Sequence, residues 1–273
     1  MTPTTSQTAS INGLDMYYEI HGEGPPLVLL HGAYMSIPSN WEALIPTFAK
    51  THKVIAVELQ GHGRTSDADR PIRYETMADD VAALLDHLGI DRAAVFGFSM
   101  GAGVAIRLAM QYPDKVDRLV SASGSISFDA LPEGFEEMIG QMTIEMMAGS
   151  PMEDEYKRLA PDPTGFENLF NKLKELDQQP FDWGDENFAR ITVPTLLIFG
   201  DVDIVKLEHA TKLFQLLGGQ PNGDMNGLPK VQLAILPGTA HTGVVAGNNI
   251  EYLKIMVPTF LAQELPAKAP FMA

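Results

Sequence analysis

Short, continuous apolar runs recur along the chain and are separated by stretches with helical spacing. The runs are Leu27–Leu30, Val54–Val57, Ala93–Phe96, Leu119–Val120 with its neighbours, Thr195–Phe199 and Val231–Leu236. Because their hydrophobicity is continuous rather than alternating, they are typical of strands covered on both faces of a parallel sheet. The earlier segment Tyr17-Tyr18, followed by Gly22 and Gly24, favours an antiparallel hairpin at the sheet edge.

Between these runs, apolar residues recur at helical spacing. One stripe consists of Met77, Val81, Leu84, Leu85 and Leu88. Thr76 and Asp79 resemble a capping box at its start, and Gly89 is placed to end the helix. Further helices are predicted over 99–110, 207–217 and 249–264. This alternation predicts a doubly wound, mostly parallel α/β sheet.

Residues 126–190 interrupt the alternation, because they contain no convincing strand. They carry a second amphipathic run from Phe166 to Leu176, where Thr164 and Glu167 again suggest a capping box. We interpret 126–190 as a helical cap inserted over one end of the sheet. The core domain then comprises 1–125 and 191–273.

Composition excludes several classes of function. The chain has 273 residues, of which 45% are apolar, so it can bury a sizeable core. A net charge of −16 argues against a nucleic-acid partner and against binding to anionic membranes. The absence of cysteine excludes disulfides, thiolate catalysis and thiolate metal ligands. No histidine pair has a metal-binding spacing, so no metal site is predicted.

The strongest chemical signal is Gly97-Phe98-Ser99-Met100-Gly101, which matches G-x-S-x-G between a strand-like and a helix-like run. A sharp turn there pushes the Ser99 hydroxyl out at the end of the sheet, while the two glycines let neighbouring backbone approach. A Gly/Ser-rich turn can match this pattern by chance, but the flanking elements supply the context that the motif requires.

With these elements in place, nearly the whole chain resembles the α/β-hydrolase family. Four further landmarks follow in that family's order: His31-Gly-Ala-Tyr34, Glu58-Leu-Gln-Gly-His-Gly-Arg-Thr-Ser66, Phe199-Gly-Asp-Val-Asp203 and Pro237-Gly-Thr-Ala-His241. Glu58 departs mildly from the aspartate usual at that position. The resemblance implies that Ser99 is the nucleophile and that the backbone amides of Ala33 and Met100 form the oxyanion hole.

His241 is the predicted general base, because it alone among seven histidines follows a late strand after both the serine and the acid. His52, His87 and His209 lie on predicted helices or their ends and are expected to be exposed. For the acid, the family pattern G-x-x-D selects Asp203. Asp201 would then stabilise the loop, although it remains the alternative acid.

Three side chains are expected to contact substrate: Tyr34, Met142 and Met146. Tyr34 flanks the oxyanion loop, and the methionines belong to the predicted cap. Ordinary packing is the competing interpretation for each of them.

The resemblance therefore implies a cofactor-independent serine esterase with a small, largely apolar ester or lactone as its substrate. Carbon–carbon bond hydrolases, perhydrolases and peptidases share the same triad, and a slowly turning ligand sensor is a further alternative. Epoxide hydrolases and haloalkane dehalogenases of this fold place Asp where this chain has Ser99. We expect a cytoplasmic monomer or homodimer, since 1–10 do not resemble a secretory signal.

Overall fold

The computed structural model describes residues 3–219 and 222–266. Its centre is an eight-stranded sheet in the order β1-β2-β4-β3-β5-β6-β7-β8. The strands are β1 Thr5–Ile11, β2 Leu14–His21, β3 Pro26–Leu30, β4 Lys53–Val57, β5 Ala93–Phe98, β6 Val116–Ala122, β7 Thr195–Val202 and β8 Val231–Ala240. Strand β2 is antiparallel to β1 and β4, and the remaining pairs are parallel. The predicted α/β fold is confirmed.

Helices flank the sheet and continue in the segment after β6. They are α1 Ile37–Trp41, α2 Ile45–Phe48, α3 Tyr74–His87, α4 Met100–Gln111, α5 Phe135–Gln141, α6 Ile144–Met147, α7 Pro151–Leu159, α8 Phe166–Gln178, α9 Asp185–Phe188, α10 Leu207–Leu216, α11 Gly223–Asn226 and α12 Asn249–Ala262. Within the described residues, none is long and apolar enough to cross a membrane.

The sheet has a separate hydrophobic core on each face. Alternate residues of β3 divide between them: Val28 and Leu30 pack with α3, α4 and α10, whereas Leu27 and Leu29 pack with α1, α2 and α12. All four side chains are fully buried. This two-sided burial is the physical reason why the parallel strands appear as continuous apolar runs in the sequence.

The edge hairpin forms, but its turn is not at the predicted glycines. Strands β1 and β2 are joined at Asn12-Gly13, where both residues have positive φ, 50° and 85°. Such a turn matches the twist of the paired strands. Gly22 instead follows β2 and lies directly against the carbonyl of Ala49, where a side chain would not fit.

Both predicted capping boxes are wrong. Helix α3 begins after Arg73, and the Thr76 hydroxyl donates back to the Arg73 carbonyl oxygen. Helix α8 begins after Gly165, and Thr164 hydrogen bonds to Asp162 instead. At the other end of α3, Gly89 has a φ of 65° just beyond the last turn, as expected of a residue that ends a helix.

Residues 126–190 contain five short helices, α5 to α9, and a single bridge between Ser127 and Asp182 outside the main strands. Leu169 and Leu173 of α8 are buried in the core that also contains α3 and α4. Lys174 of α8 donates to the carbonyl oxygens of Gly140 and Met142, which ties α5 to α8. This helical segment covers the sheet edge where β3, β5 and β7 end, and it supplies walls of the cavity there.

Candidate active site

Ser99 occupies a strained turn between β5 and α4, with φ 52° and ψ −118°. A non-glycine residue in this region costs roughly 1–3 kcal/mol and persists only when its surroundings enforce it. The two neighbouring glycines are part of that enforcement. A Cβ on Gly97 would strike the Gly101 carbonyl group, and one on Gly101 would strike the carbonyl oxygens of Leu30 and His31.

Three loops bring the predicted triad together at the carboxyl edge of the sheet. Ser99 follows β5, Asp203 follows β7 and His241 follows β8. His241 Nε2 lies 2.8 Å from Ser99 Oγ, and its Nδ1 lies 2.6 Å from Asp203 Oδ1. The His241 ring packs against Phe98, with 5.3 Å between ring centroids. This geometry can transfer a proton from the hydroxyl to an imidazole that a carboxylate orients.

The Asp203 side chain is fully buried and accepts several hydrogen bonds. Ser123 Oγ donates to Asp203 Oδ2 at 2.5 Å, and the Gly200 amide donates to the same oxygen at 3.2 Å. Burial raises the pKa of Asp203, but the hydrogen bonds and charge of His241, with those of Ser123 and Gly200, outweigh it and hold the pKa below its ordinary value. Sequence reasoning missed Ser123, which lies directly after β6 and matches no part of the motifs.

Asp201 has different partners from Asp203. Its carboxylate accepts the backbone amides of Gly238 and Thr239, each at 2.8 Å. These bonds, Thr239 first, hold the pKa of Asp201 below its ordinary value. Asp201 therefore joins the carboxyl ends of β7 and β8, and of the two aspartates only Asp203 hydrogen bonds to the imidazole.

The loop after β3 is held so that one amide stays available. The Gly32 amide donates to Asn40 Oδ1 at 2.9 Å, and the Tyr34 amide donates to His62 Nε2 at 3.2 Å. Between them, the Ala33 amide donates no hydrogen bond to any described residue. Met100 is the first residue of α4, so its amide has no acceptor within the helix. Ala33 and Met100 both line the same cavity as Ser99.

Two neutral histidines support this loop. His31 accepts the Leu59 amide at 3.0 Å, and its ring centroid lies 5.0 Å from that of His62. Burial lowers the pKa of His31 to about 3 and that of His62 to about 4. Both rings therefore stay uncharged near neutral pH and can accept backbone hydrogen bonds.

Two of the histidines that we expect to be exposed differ in their burial. His87 is exposed as expected, but His209 is buried, where it accepts the Ile126 amide at 3.3 Å. Glu58 is also fully buried, and burial raises its pKa to about 7 although Arg64 lies beside it. It accepts hydrogen bonds from the amides of Ile37 and Arg64. Glu58 therefore fixes the loop after β4 against the start of α1.

A cavity of about 250 Å³ opens in front of Ser99 and His241. Its walls are mostly apolar, and the cap segment contributes Phe128, Leu131, Phe135, Ile139, Met152, Leu176 and Phe181. The volume lies just below the usual range for ligand pockets, roughly 300–1,000 Å³. The cavity therefore suits a small, largely apolar molecule.

The predicted substrate contacts are corrected by the structure, because Tyr34, Met142 and Met146 are not part of this wall. The positive φ of Tyr34, 59°, turns its ring towards Phe166, 6.4 Å away between centroids. Met142 packs against the small apolar cluster that includes Phe166. Met146 is 68% exposed. Of the cap methionines, Met152 is the one that lines the cavity.

Asp177, in the last turn of α8, is a site residue that sequence reasoning missed. It lines the cavity, and burial raises its pKa to about 6, an effect that a charge on His241 opposes. Within the described residues it receives no hydrogen bond and forms no salt bridge. In the sequence it resembles any other helix acid. No group of three or more His, Asp or Glu side chains in the described segments could hold a metal ion.

Comparisons with known proteins concern the family and the fold. A family model described as alpha/beta hydrolase fold matches residues 25–235. The chain is 41% identical over 121 residues to the soluble epoxide hydrolase of Corynebacterium sp. strain C12, which covers 43% of this chain and 41% of that protein. It spans less than half the length of the first curated relatives that it matches.

Solved structures share the fold over almost the full length. A meta-cleavage product hydrolase of Pseudomonas fluorescens IP01 superimposes with a TM-score of 0.75 at 23% identity, covering 95% of this chain and 97% of that one. The enol-lactonase of Burkholderia xenovorans LB400 gives a TM-score of 0.69 at 20% identity, covering 94% and 100%. At these identities the match concerns the fold alone.

Proposed function

Because the chain belongs to the α/β-hydrolase family, we propose that it is a serine hydrolase that cleaves a carboxylic ester or lactone. The observation that carries this proposal is the continuous hydrogen-bonded series from Ser99 through His241 to Asp203. A hydroxyl is a poor nucleophile until a base removes its proton, and this arrangement supplies that base.

In the first half of the reaction, Ser99 Oγ attacks the carbonyl carbon while its proton passes to His241 Nε2. The imidazolium that forms is stabilised by Asp203, which stays ionised. The carbonyl oxygen becomes negative and accepts hydrogen bonds from the amides of Ala33 and Met100. Loss of one such donor typically costs about 3–4 kcal/mol. His241 then protonates the leaving alkoxide as the carbon–oxygen bond breaks, which leaves an acyl group on Ser99.

In the second half, His241 removes a proton from water, and the resulting hydroxide attacks the acyl carbon. As the second tetrahedral intermediate breaks down to the carboxylic acid, His241 returns this proton to Ser99 Oγ, which restores the free enzyme. Each step uses groups of the chain and water, so the proposed reaction needs no cofactor. We also propose that the protein works in the cytoplasm as a monomer or homodimer, on a small molecule and without a nucleic-acid or membrane partner.

The nature of the cavity supports a small apolar ester or lactone. Its walls are mainly aromatic and aliphatic, and they lie on the side of Ser99 that faces the cap segment. Among the structural neighbours, an enol-lactonase shares the fold. Epoxide hydrolases that resemble this chain in fold place an aspartate where this chain has Ser99. The serine therefore argues against epoxide hydrolysis.

A carbon–carbon bond hydrolase is the second candidate, since a meta-cleavage product hydrolase also shares the fold. The same triad could serve that reaction. The experiment that separates the two is a kinetic screen of purified protein against p-nitrophenyl esters, aliphatic lactones and a meta-cleavage product, with Ser99→Ala as the control. Multiple turnover of an ester or lactone that Ser99→Ala abolishes supports the proposal. Turnover of the meta-cleavage product alone would replace it with the second candidate.

A further inference from the structure

The cavity contains one acidic group that the proposed reaction does not use. Asp177 lines the cavity near the C-terminal end of α8. Burial raises the pKa values of Tyr34 and Tyr74, and the charge of Asp177 raises them further. A charge on His241 in turn lowers the pKa of Asp177. Asp177 therefore lies within electrostatic reach of the catalytic imidazole and of two tyrosines.

Among the described residues this carboxylate forms no salt bridge, although a charge on His241 favours its ionised form. It has no hydrogen-bond donor among them, and the residues that line the cavity include neither lysine nor arginine. The end of a helix where carbonyl groups are free also disfavours a negative charge. Other buried acids of this protein have partners: Asp203 has His241, and Asp80 has Arg70. Keeping a carboxylate charged in an apolar cavity without a counter-ion is costly, so its pKa rises, and a cationic ligand would remove part of that cost.

Apart from Phe98, which packs against His241, four aromatic side chains line the same cavity: Tyr74, Phe128, Phe135 and Phe181. Ring centroids are 5.7 Å apart for Tyr74 and Phe181, 6.4 Å for Phe181 and Phe128, and 6.2 Å for Phe128 and Phe135. They thus form one continuous aromatic wall. Aromatic faces attract cations, most strongly where water is excluded.

The surrounding charge also favours a cation. Residues 131–190 contain fourteen acidic and five basic side chains, and the whole chain has a net charge of −16. An anionic substrate would meet repulsion outside the cavity and no counter-ion within it, whereas a cation would be attracted at both stages.

We propose that Asp177 and the aromatic wall of Tyr74, Phe128, Phe135 and Phe181 form a binding site for the positively charged amine or ammonium group of an ester substrate. The inference rests on the proposed esterase function and narrows its substrate class to esters with a cationic group. The carboxylate pairs with the cation, and the rings cover its alkyl substituents. Asp177 is a specificity residue and takes no part in the proton transfers.

Two pairs of probes test the proposal. Butyrylcholine and 3,3-dimethylbutyl butyrate have the same shape and differ by one positive charge. We expect kcat/KM to be higher for butyrylcholine at pH 8, and Asp177→Asn to lower the ratio of the two values by roughly 10- to 100-fold. Glu175→Gln is the matched control, because Glu175 lies on the same helix but is exposed and pairs with Arg73. It should leave the ratio unchanged.

The pH dependence of this ratio separates recognition from a structural role. His241, Tyr34 and Tyr74 are the titratable groups that face Asp177. Both esters undergo the same proton transfers, so the pH dependence of catalysis cancels in the ratio, and Tyr34 and Tyr74 stay neutral because burial raises their pKa values. The ratio should therefore fall as pH decreases through about 6, where Asp177 is protonated, and Asp177→Asn should remove this dependence.

Binding measurements make the result independent of catalysis. In Ser99→Ala, calorimetry with choline and with 3,3-dimethylbutan-1-ol should show tighter binding of choline, and Asp177→Asn in that background should abolish the difference. Equal binding of the two alcohols, or a preference for the neutral ester that Asp177→Asn leaves unchanged, would overturn the proposal. If p-nitrophenyl butyrate is not hydrolysed at all, the esterase function fails, and the choline measurement still decides the cation site.

Discussion

Ser123 and Asp203 are joined by a 2.5 Å hydrogen bond to Oδ2, the carboxylate oxygen other than the one that faces His241. Ser123 follows β6 and Asp203 follows β7, so the bond links two neighbouring loops. Since Oδ1 is left for the imidazole, Ser123 fixes the rotation of the carboxylate. The orientation of His241 therefore depends on a hydroxyl that does not contact it.

Ser123→Ala should lower kcat/KM for p-nitrophenyl butyrate by roughly 10-fold. A hydrogen bond to a charged group is worth about 1.5–3 kcal/mol, and part of that loss is recovered through the Gly200 amide, which still donates to Oδ2. Ser121→Ala is the matched control, because Ser121 lies on β6, two residues before Ser123, and is also buried. Its hydroxyl has no hydrogen-bond partner among the described residues. Equal effects of the two variants would contradict the positioning role.

Asp203→Asn should reduce kcat far more than Asp201→Asn. An asparagine at 203 removes the charge that stabilises the imidazolium, which costs roughly 10⁴-fold in comparable triads. An asparagine at 201 keeps one oxygen for the amides of Gly238 and Thr239, so kcat should change less than 10-fold while the melting temperature falls slightly. Steady-state kinetics of both variants check this, and the reverse ranking would make Asp201 the triad acid.

Gly101→Ala should destabilise the protein by about 1–3 kcal/mol or more, because the new methyl group would collide with the carbonyl oxygens of Leu30 and His31. Gly243→Ala is the control, since the nearest atom, Thr239 Cγ2, lies at an ordinary contact distance of 3.6 Å. Urea unfolding gives both free energies. Similar values for the two variants would show that the turn at Ser99 tolerates a side chain.

Acid should lower the free energy of unfolding through the buried histidines. The pKa of His62 is lowered to about 4 in the folded state from an ordinary value of 6.5. The unfolded chain therefore binds a proton first, and the contribution of His62 to stability, complete above pH 6.5, is lost as pH falls towards 4. Between pH 7 and pH 5, His62→Gln should lose less free energy of unfolding than the wild type. His87→Gln, at an exposed position, should behave like the wild type, and identical slopes for all three would contradict the assignment.

The sequence predicted those site residues whose role follows from their position at a strand end. Ser99, Asp203 and His241 each follow a strand of the parallel part of the sheet, and the carboxyl ends of such strands meet at one edge. Asp201 and Asp203 could also be separated, because the G-x-x-D pattern of the resembled family selects Asp203.

The remaining site residues depend on tertiary packing that no local pattern encodes. The Tyr34 ring packs near Phe166 and is not among the residues that line the cavity, and Met146 is exposed to solvent. Asp177 lies on the amphipathic helix α8 among other polar residues. Only the packing of α8 places its carboxylate in the wall of the cavity that also contains Ser99. The hairpin turn at Asn12-Gly13 does carry a local signal, because Asn-Gly is typical of two-residue turns between paired strands.

The most direct test of the central claim is mass spectrometry of the protein quenched during turnover of p-nitrophenyl butyrate. We expect a butyryl group on the peptide that contains Ser99, formed within the first turnover and hydrolysed afterwards. In His241→Ala the group should form very slowly, and in Ser99→Ala it should be absent. Full turnover by Ser99→Ala, or a butyryl group carried on another residue during wild-type turnover, would contradict Ser99 as the nucleophile.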